Sequence, residues 1–321
     1  MKKNILVTGA TGYIGRMLIK HLYHAYGNDV FVTALVRNRQ KAAMILPTSS
    51  RIICVDITDT NSMMNIDEHF DHIIHCAAIT SSSYMISHPV ETTDGIVLGT
   101  KNVLNLALRS KISSMVYLSS MEVYGAINSS PQQRITEDKL GYVDLQNARS
   151  CYPMGKRMAE NYCFSYYHQY NLPIKIARLA QTFGRGVDRS DKRVFAQFAK
   201  AVIKGEDIIL HTKGRSMGNY CAIDDALTGI RILLRDGVNG EAYNIVNEDS
   251  TMTIAEMAEM VAREVAAGKI SIRYDIPETN EYGYAADTKL CLSSEKIMNL
   301  GWKPTKNLSD MYRDLIDDWK K

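Results

Sequence analysis

The chain begins with a short apolar run, Ile5-Leu6-Val7, that breaks at once into Thr8-Gly9-Ala10-Thr11-Gly12-Tyr13-Ile14-Gly15. Met17, Leu18, Ile19 and Leu22 then recur at helical spacing. A strand, a glycine turn and a helix in that order give a glycine motif structural meaning. Gly9 permits the sharp turn, Gly12 lets backbone approach a pyrophosphate, and Gly15 lets the helix pack on the strand. Thr11 belongs to the same candidate phosphate site. The helix start supplies free N–H groups and a positive dipole end for that phosphate. The spacing is G-x-x-G-x-x-G rather than the usual G-x-G-x-x-G, and a glycine-rich turn with no ligand is the alternative.

The strand–helix alternation continues along the chain. Residues 30–36 read as a buried parallel strand. At the end of such a strand an acid commonly binds the ribose hydroxyls of NAD. This chain has Arg37, then Arg39 and Lys41. A guanidinium there can clamp a 2′-phosphate, which favours NADP, while a solvated basic loop is the bland reading. Residues 51–55 form a third strand, followed by Asp56 and Ile57. Residues 72–75 form a fourth and lead into Cys76-Ala77-Ala78-Ile79-Thr80, small enough for a flat cofactor to lie on backbone. With helical stretches such as residues 100–108 between them, these strands indicate βαβ units and a doubly wound parallel sheet.

Residues 114–118 are a fifth strand that ends in Ser119-Ser120-Met121-Glu122. Ligands of open α/β sheets sit beyond the carboxyl ends of the strands, which places Ser120 and Glu122 in the crevice of the glycine turn. A helix then starts near Cys151-Tyr152-Pro153, since proline suits a first helical turn. Tyr152 and Lys156 are four residues apart and can face the same way. A free phenol has a pKa of about 10 and is a poor base at neutral pH. A nearby ammonium would lower it towards the useful range. Tyr-x-x-x-Lys is common by chance among 18 tyrosines, so the pair gains weight only from its context.

Composition narrows the class. The 321 residues carry 38 basic and 35 acidic side chains, net +3, too weak a balance to argue for nucleic acid or a membrane surface. The six cysteines are scattered without a C-x-x-C pair, which reads as reduced thiols in a cytoplasmic protein. Neither a signal peptide nor an apolar run of membrane-spanning length is expected. The histidines show no metal spacing, so no metal is expected.

Residues 172–179 read as another strand and lead to Gln181-Thr182-Phe183-Gly184. Residues 194–200 begin a helix and residues 208–211 a strand, before the loop Gly214-Arg215-Ser216-Met217-Gly218. Thr253 and Glu256 have capping-box spacing.

Together the motifs at residues 9–15, 56–57, 75–78, 119–125, Tyr152/Lys156, 178–184, Asp224-Asp225 and 300–304 resemble the extended short-chain dehydrogenase/reductases, in their NAD-dependent nucleotide-sugar epimerase/dehydratase group. The resemblance spans nearly the whole chain. It implies an α/β, Rossmann-type doubly wound parallel sheet with a smaller C-terminal α/β substrate-binding lobe. Residues 1–180 would form the dinucleotide-binding domain and 181–321 the substrate domain, with segments near 220–250 returning to the first.

By resemblance, Tyr152 takes or gives the hydroxyl proton, Lys156 binds the nicotinamide ribose, and Ser120 donates to the reacting oxygen. Asp56 and Ile57 bind adenine, Tyr13 and Ile14 contribute at the pyrophosphate, and Ala77 and Ala78 line the cofactor. Thr80, Gln181 and Arg215 are the expected substrate contacts. Glu122 is the base position of the family's sugar dehydratases, but their acid one position earlier is Met121 here, which disfavours 4,6-elimination. Gln181 replaces the family's asparagine, Gly218 a common pyrophosphate arginine, and Ile96 an asparagine that supports the lysine, whose hydrogen bond would then be missing or made to water.

The expectation is an NAD(P)-dependent enzyme on a nucleotide-linked sugar or polyol, acting by hydride transfer at a carbinol carbon. An NADPH-dependent reductase comes second and a non-catalytic dinucleotide sensor third. The family favours NAD, and Arg37 leans towards NADP. Relatives pair through the helices containing residues 100–108 and 152–166, so a homodimer is expected.

Overall fold

The computed structural model describes residues 2–277 and 288–321. Strand β1 (Lys3–Thr8) enters α1 (Tyr13–Tyr26), and β2 (Val30–Val36) enters α2 (Arg39–Ile45). Then come β3 (Arg51–Cys54), α3 (Thr60–Met64), β4 (His72–His75), α4 (Ser82–Ser87), α5 (Pro89–Ser110) and β5 (Ser114–Ser120). Helix α6 (Cys151–Tyr170) leads to β6 (Ile174–Leu179) and β7 (Gln181–Phe183). The remainder is α7 (Val194–Lys204), β8 (Ile208–Leu210), β9 (Met217–Ala222), α8 (Ile223–Asp236), β10 (Ala242–Ile245), β11 (Asn247–Thr253), α9 (Ile254–Met260), β12 (Ile272–Tyr274), α10 (Glu295–Met298) and α11 (Leu308–Lys320).

Seven strands form one parallel sheet in the order β10-β6-β5-β4-β1-β2-β3. The strand order turns around between β1 and β4, so a crevice opens where the glycine turn leaves β1 and Cys76-Ala77 leave β4. Helices α5 and α6 lie on one face, where Leu104, Val103, Ala159 and Cys163 fill the layer. Helices α1 and α8 lie on the other, with Leu18, Leu22, Leu227, Ile230 and Trp302 buried beneath them. The sheet is apolar on both faces because both are covered.

A third cluster belongs to the later elements. Phe183 stacks on Phe195 with ring centroids 4.3 Å apart, Tyr220 and Tyr312 meet it edge-on, and Trp319 closes the layer. Its strands are separate from the large sheet: β11-β9-β7 and β12-β8. Strand β10, by contrast, pairs with β6 at the edge of the large sheet. The capping box read at Thr253 and Glu256 is present at the start of α9.

Two elements differ in length from their sequence patterns. Helix α5 starts at Pro89, well before residue 100, because proline is accommodated at a first helical position. Strand β6 starts at Ile174, just after Pro173, which has no N–H to give a ladder.

Helix α6 is fastened to the sheet by a buried ion pair. Arg178 on β6 donates through Nε and Nη2 to both carboxylate oxygens of Glu160 at 2.7–3.2 Å. Its Nη1 donates to the Tyr124 hydroxyl (3.1 Å) and the Glu137 carbonyl (2.8 Å). Ser119 on β5 also donates to Glu160. Removing one partner of a buried pair leaves the other charge uncompensated. Glu160→Ala is expected to destabilise the protein by about 3–5 kcal/mol, read as a lower urea midpoint at unchanged slope. An unchanged midpoint would show that the pair carries no net stability.

Candidate active site

The glycine turn is held by contacts that leave no room for side chains. Gly9 has φ +63°, and a Cβ there would meet the Ala77 backbone at 2.7 Å. A Cβ on Gly15 would run into the Gly9 carbonyl. Under the turn, the buried His75 ring hydrogen-bonds Thr8 Oγ1 (2.6 Å) and Thr100 Oγ1 (3.1 Å), and Ala77 N donates to Thr8 Oγ1 (3.2 Å). Burial, then the Lys156 charge, push the His75 pKa down to about 3, so the ring is neutral. This network ties the ends of β1 and β4 to α5.

Beyond those strand ends lies a cleft of about 520 Å³. Gly9, Thr11, Arg37, Asp56, Ile57, Ala77 and Ala78 line it. Asp56 Oδ1 accepts from Thr58 N (2.9 Å) and Oγ1 (2.8 Å), and its Oδ2 lies 3.9 Å from Arg37 Nη1. Arg37 is well exposed and therefore only weakly paired. Gly12, Ile14 and Gly15 lie in the turn and the first turn of α1. Tyr13 is turned elsewhere: its hydroxyl donates to the Arg185 carbonyl (3.2 Å), and its ring packs against two of the hydrophobic clusters.

A second cavity of about 410 Å³ adjoins the end of β5. Glu122 and Gln181 are in its wall, together with Met121, Asn147, Ser150, Pro153 and Gly218. Gln181 Oε1 is buried without a hydrogen-bond partner among the described residues, so it is open to a donor from a ligand. Thr80 and Arg215 are exposed and outside both cavity walls.

Ser120, Tyr152, Lys156 and Glu122 are brought together at the end of β5 and the start of α6, and of the four only Glu122 lines one of the two cavities. Ser120 accepts from Glu122 N (3.2 Å) and hydrogen-bonds the Tyr152 phenol. Tyr152 is 7% exposed. Burial first, and the Glu122 charge second, push its pKa up to about 12, against the Ser120 hydrogen bond and the Arg149 charge. The expected lowering by Lys156 is therefore corrected: in this structure the phenol is held protonated. Lys156 Nζ is 5.9 Å from the Tyr152 ring centroid, and 4.7 Å from that of Tyr117.

Lys156 also bears on the expectation attached to Ile96. Ile96 is buried against Gly155 and offers no acceptor. Lys156 Nζ instead donates directly to the Leu118 carbonyl at 2.7 Å. The hydrogen bond that an asparagine at position 96 would make is missing, and the ammonium has a backbone acceptor elsewhere.

The residue that sequence reasoning missed is Arg149. Its Nη2 donates to both oxygens of Glu122 at 2.8 Å, and its Cζ is 5.4 Å from the Tyr152 ring centroid. It sits in a single 3₁₀ turn, Ala148–Ser150, whose start is capped by the Asn147 side chain. An asparagine two residues ahead of an arginine beside a helix start was the available signal.

A profile of the NAD dependent epimerase/dehydratase family matches residues 5–246. UDP-glucuronic acid decarboxylase 6 of Arabidopsis thaliana is 31% identical over 98% of this chain and 88% of its own length. UDP-N-acetyl-alpha-D-glucosaminuronate decarboxylase of Bacillus cytotoxicus is 29% identical over 81% of this chain and 79% of its own. Among solved structures, UDP-glucose 4-epimerase of Thermotoga maritima superposes with a TM-score of 0.84 at 20% identity, covering 99% of this chain and 98% of that one.

The buried lysine has a measurable consequence. Burial pulls the Lys156 pKa down from 10.5 to about 8, against the charge of Glu160. Below pH 8 the folded state must hold an ammonium that the unfolded chain holds more easily. Between about 8 and 10.5 the unfolded chain binds the extra proton, so stability rises with pH. Lys156→Met is expected to melt higher than the wild type at pH 7, by roughly 3 kcal/mol, with the gap closing as pH rises through that window. Thermal melts from pH 7 to 10.5 measure it, and a gap that widens with pH would contradict the assignment.

Proposed function

The chain belongs to the NAD dependent epimerase/dehydratase family, and from that premise we propose that it is a decarboxylase of a UDP-linked uronic acid. It is an NAD-dependent enzyme of nucleotide-sugar chemistry. The observation that carries the finer reading is the fork of Arg149 on Glu122. A carboxylate pinned in this way is a poor free base, and Met121 beside it cannot donate a proton. Elimination of water, which needs both, is disfavoured. Loss of carbon dioxide from a β-keto acid needs neither. The Arabidopsis and Bacillus relatives are decarboxylases of UDP-linked uronic acids.

The cleft fits a dinucleotide, because Gly9 and Thr11 of the glycine turn line it beside Asp56 and Ala77. Arg37 and Asp56 stand together in its wall, and the Asp56 carboxylate would repel a 2′-phosphate, so we read the cofactor as NAD, kept through the cycle. When bound, NAD supplies the acceptor and later the donor of the hydride. Ser120 and Tyr152 hold the reacting oxygen by hydrogen bonds, and Tyr152 takes or returns its proton. Lys156, anchored on Leu118, presents its charge beside them. Once the sugar hydroxyl is a ketone, the bond to the carboxyl carbon breaks and its electron pair moves to the ketone oxygen. Carbon dioxide leaves, the enolate oxygen rests on Ser120 and Tyr152, and a proton then adds to carbon.

We divide the chain at about residue 180 into a cofactor domain and a substrate domain. The segment holding α8 and β10 is counted with the first, because it packs on the large sheet. No helix of the described residues is long and apolar enough to cross a membrane, and we read the protein as cytoplasmic. Leu98 on α5 and Met158 and Phe164 on α6 are exposed apolar side chains, which supports pairing of two copies through these helices.

With UDP-glucuronic acid, the product is expected to lose carbon dioxide by mass spectrometry, and Tyr152→Phe to lower turnover at least about 100-fold. A product of unchanged mass would mean epimerisation, and net consumption of NADPH would mean a reductase. NAD, not NADP, is expected to be released on denaturing the purified protein. Light scattering is expected to give twice the chain mass at micromolar concentration, and Phe164→Asp to halve it.

A further inference from the structure

Beside Tyr152 the structure assembles more positive charge than it uses. Arg149 and Lys156 lie near its ring, with the guanidinium carbon at 5.4 Å and the ammonium at 5.9 Å from its centroid. Glu122, forked onto Arg149, is the one acid paired there among the described residues; Glu160 is committed to Arg178. One positive charge is left over, so the site is built to receive one negative charge.

The position of that charge is set by Arg149. Both Glu122 contacts use a single nitrogen, Nη2. Nη1 is buried and has no hydrogen-bond partner among the described residues. A guanidinium has five donors in one plane, and a second acceptor can take Nη1 while Glu122 keeps Nη2. Burial without an acceptor is costly for such a donor, so the arrangement is complete only when a ligand brings one. Glu122, Asn147 and Ser150, the residues around Arg149, line the 410 Å³ cavity, and Arg149 itself stands behind them. An acceptor for Nη1 would come from a molecule in that cavity that reaches past these side chains. A hydroxyl could fill the hydrogen bond but would leave the charge unbalanced. A carboxylate answers both.

We infer that Arg149 is the specificity-determining anchor for a carboxylate on the reacting sugar, bound at Nη1 while Nη2 stays on Glu122. The inference rests on the nucleotide-sugar function proposed for this site and assigns within it the residue that distinguishes an acidic sugar from a neutral one. The anchor also favours product release. Carbon dioxide and the neutral sugar that remains give Nη1 no anionic partner, so the product lacks a contact that the substrate had.

The test is binding of UDP-glucuronic acid, UDP-glucose and UDP to the NAD-loaded protein by calorimetry, for the wild type, Arg149→Lys, Arg149→Met and Glu122→Gln. Both Arg149 variants are expected to weaken UDP-glucuronic acid about 10- to 100-fold, the value of one charge-assisted hydrogen bond, and to leave UDP-glucose and UDP within about 2-fold. Glu122→Gln is expected to keep or tighten UDP-glucuronic acid, since it removes a like charge. Equal loss for both sugars, in the Arg149 variants and in Glu122→Gln alike, would mean that Arg149 only holds Glu122 and would overturn the anchor. Weaker NAD retention with unchanged sugar binding would overturn it too, by giving Nη1 to the cofactor. A wild type that binds none of the three ligands would overturn the nucleotide reading itself, and the anchor with it.

Discussion

The geometry of the site depends on how α6 lies across the ends of β5 and β6, and the Glu160–Arg178 pair sets that. Tyr152, Lys156 and Glu160 are spaced by four, so one stripe of the helix faces the sheet. Glu160 at the bottom of the stripe is clasped by Arg178 from β6 and by Ser119 from β5. One turn up, Lys156 reaches the Leu118 carbonyl of β5. One turn further, Tyr152 meets Ser120 at the end of the same strand. A slide of the helix by one residue would break all three at once, which is why a buried ion pair of doubtful net stability can be worth keeping for register.

The same burial that fixes these groups works against their chemistry in the free protein. It raises the phenol of Tyr152 to about 12 and lowers the ammonium of Lys156 to about 8. The two shifts oppose a resting phenolate–ammonium pair. The free site is therefore set as a donor: a protonated tyrosine that can hold an oxygen. In the proposed reaction it would take the substrate's proton only as the hydroxyl carbon is being oxidised, when that proton becomes acidic. Glu122 would push the phenol pKa higher still, and Arg149 offsets it. The pair beside Tyr152 thus brings a carboxylate into the site while limiting its effect on the tyrosine.

Much of this architecture is legible in residue order. The glycine turn, the alternation of apolar runs with helical spacing, the end of the fifth strand and the Tyr152/Lys156 step fix the sheet, its crevice and the four clustered side chains Ser120, Glu122, Tyr152 and Lys156. Arg149 is not, because its contact with Glu122 joins a short turn to a strand end 27 residues earlier, and nothing in local periodicity links them. The support of Lys156 is hidden for a different reason. Its acceptor is a backbone carbonyl, which every residue has, so nothing in the sequence announces it. Arg215 stands out by charge alone. It is exposed next to residues that do line the cavity, and one-residue precision is beyond an argument from the composition of a loop.

The cavity at the end of β5, read as the sugar site, is where the chemistries that share this fold would part. Oxidation at a carbinol carbon is common to epimerisation, elimination and decarboxylation, and Ser120, Tyr152 and Lys156 do not distinguish them. What distinguishes them is the fate of the bond next to the new ketone. An eliminating enzyme needs a base that is free and an acid that can follow a departing hydroxide. Here the carboxylate at that place, Glu122, is forked by a guanidinium, and the neighbouring side chain is a thioether. A decarboxylating enzyme needs its substrate's own carboxylate oriented so that the breaking bond lies across the plane of the ketone, and needs little else. A guanidinium held on one side by Glu122 and near the Tyr152 ring is placed to impose that orientation on the carboxylate proposed to bind it.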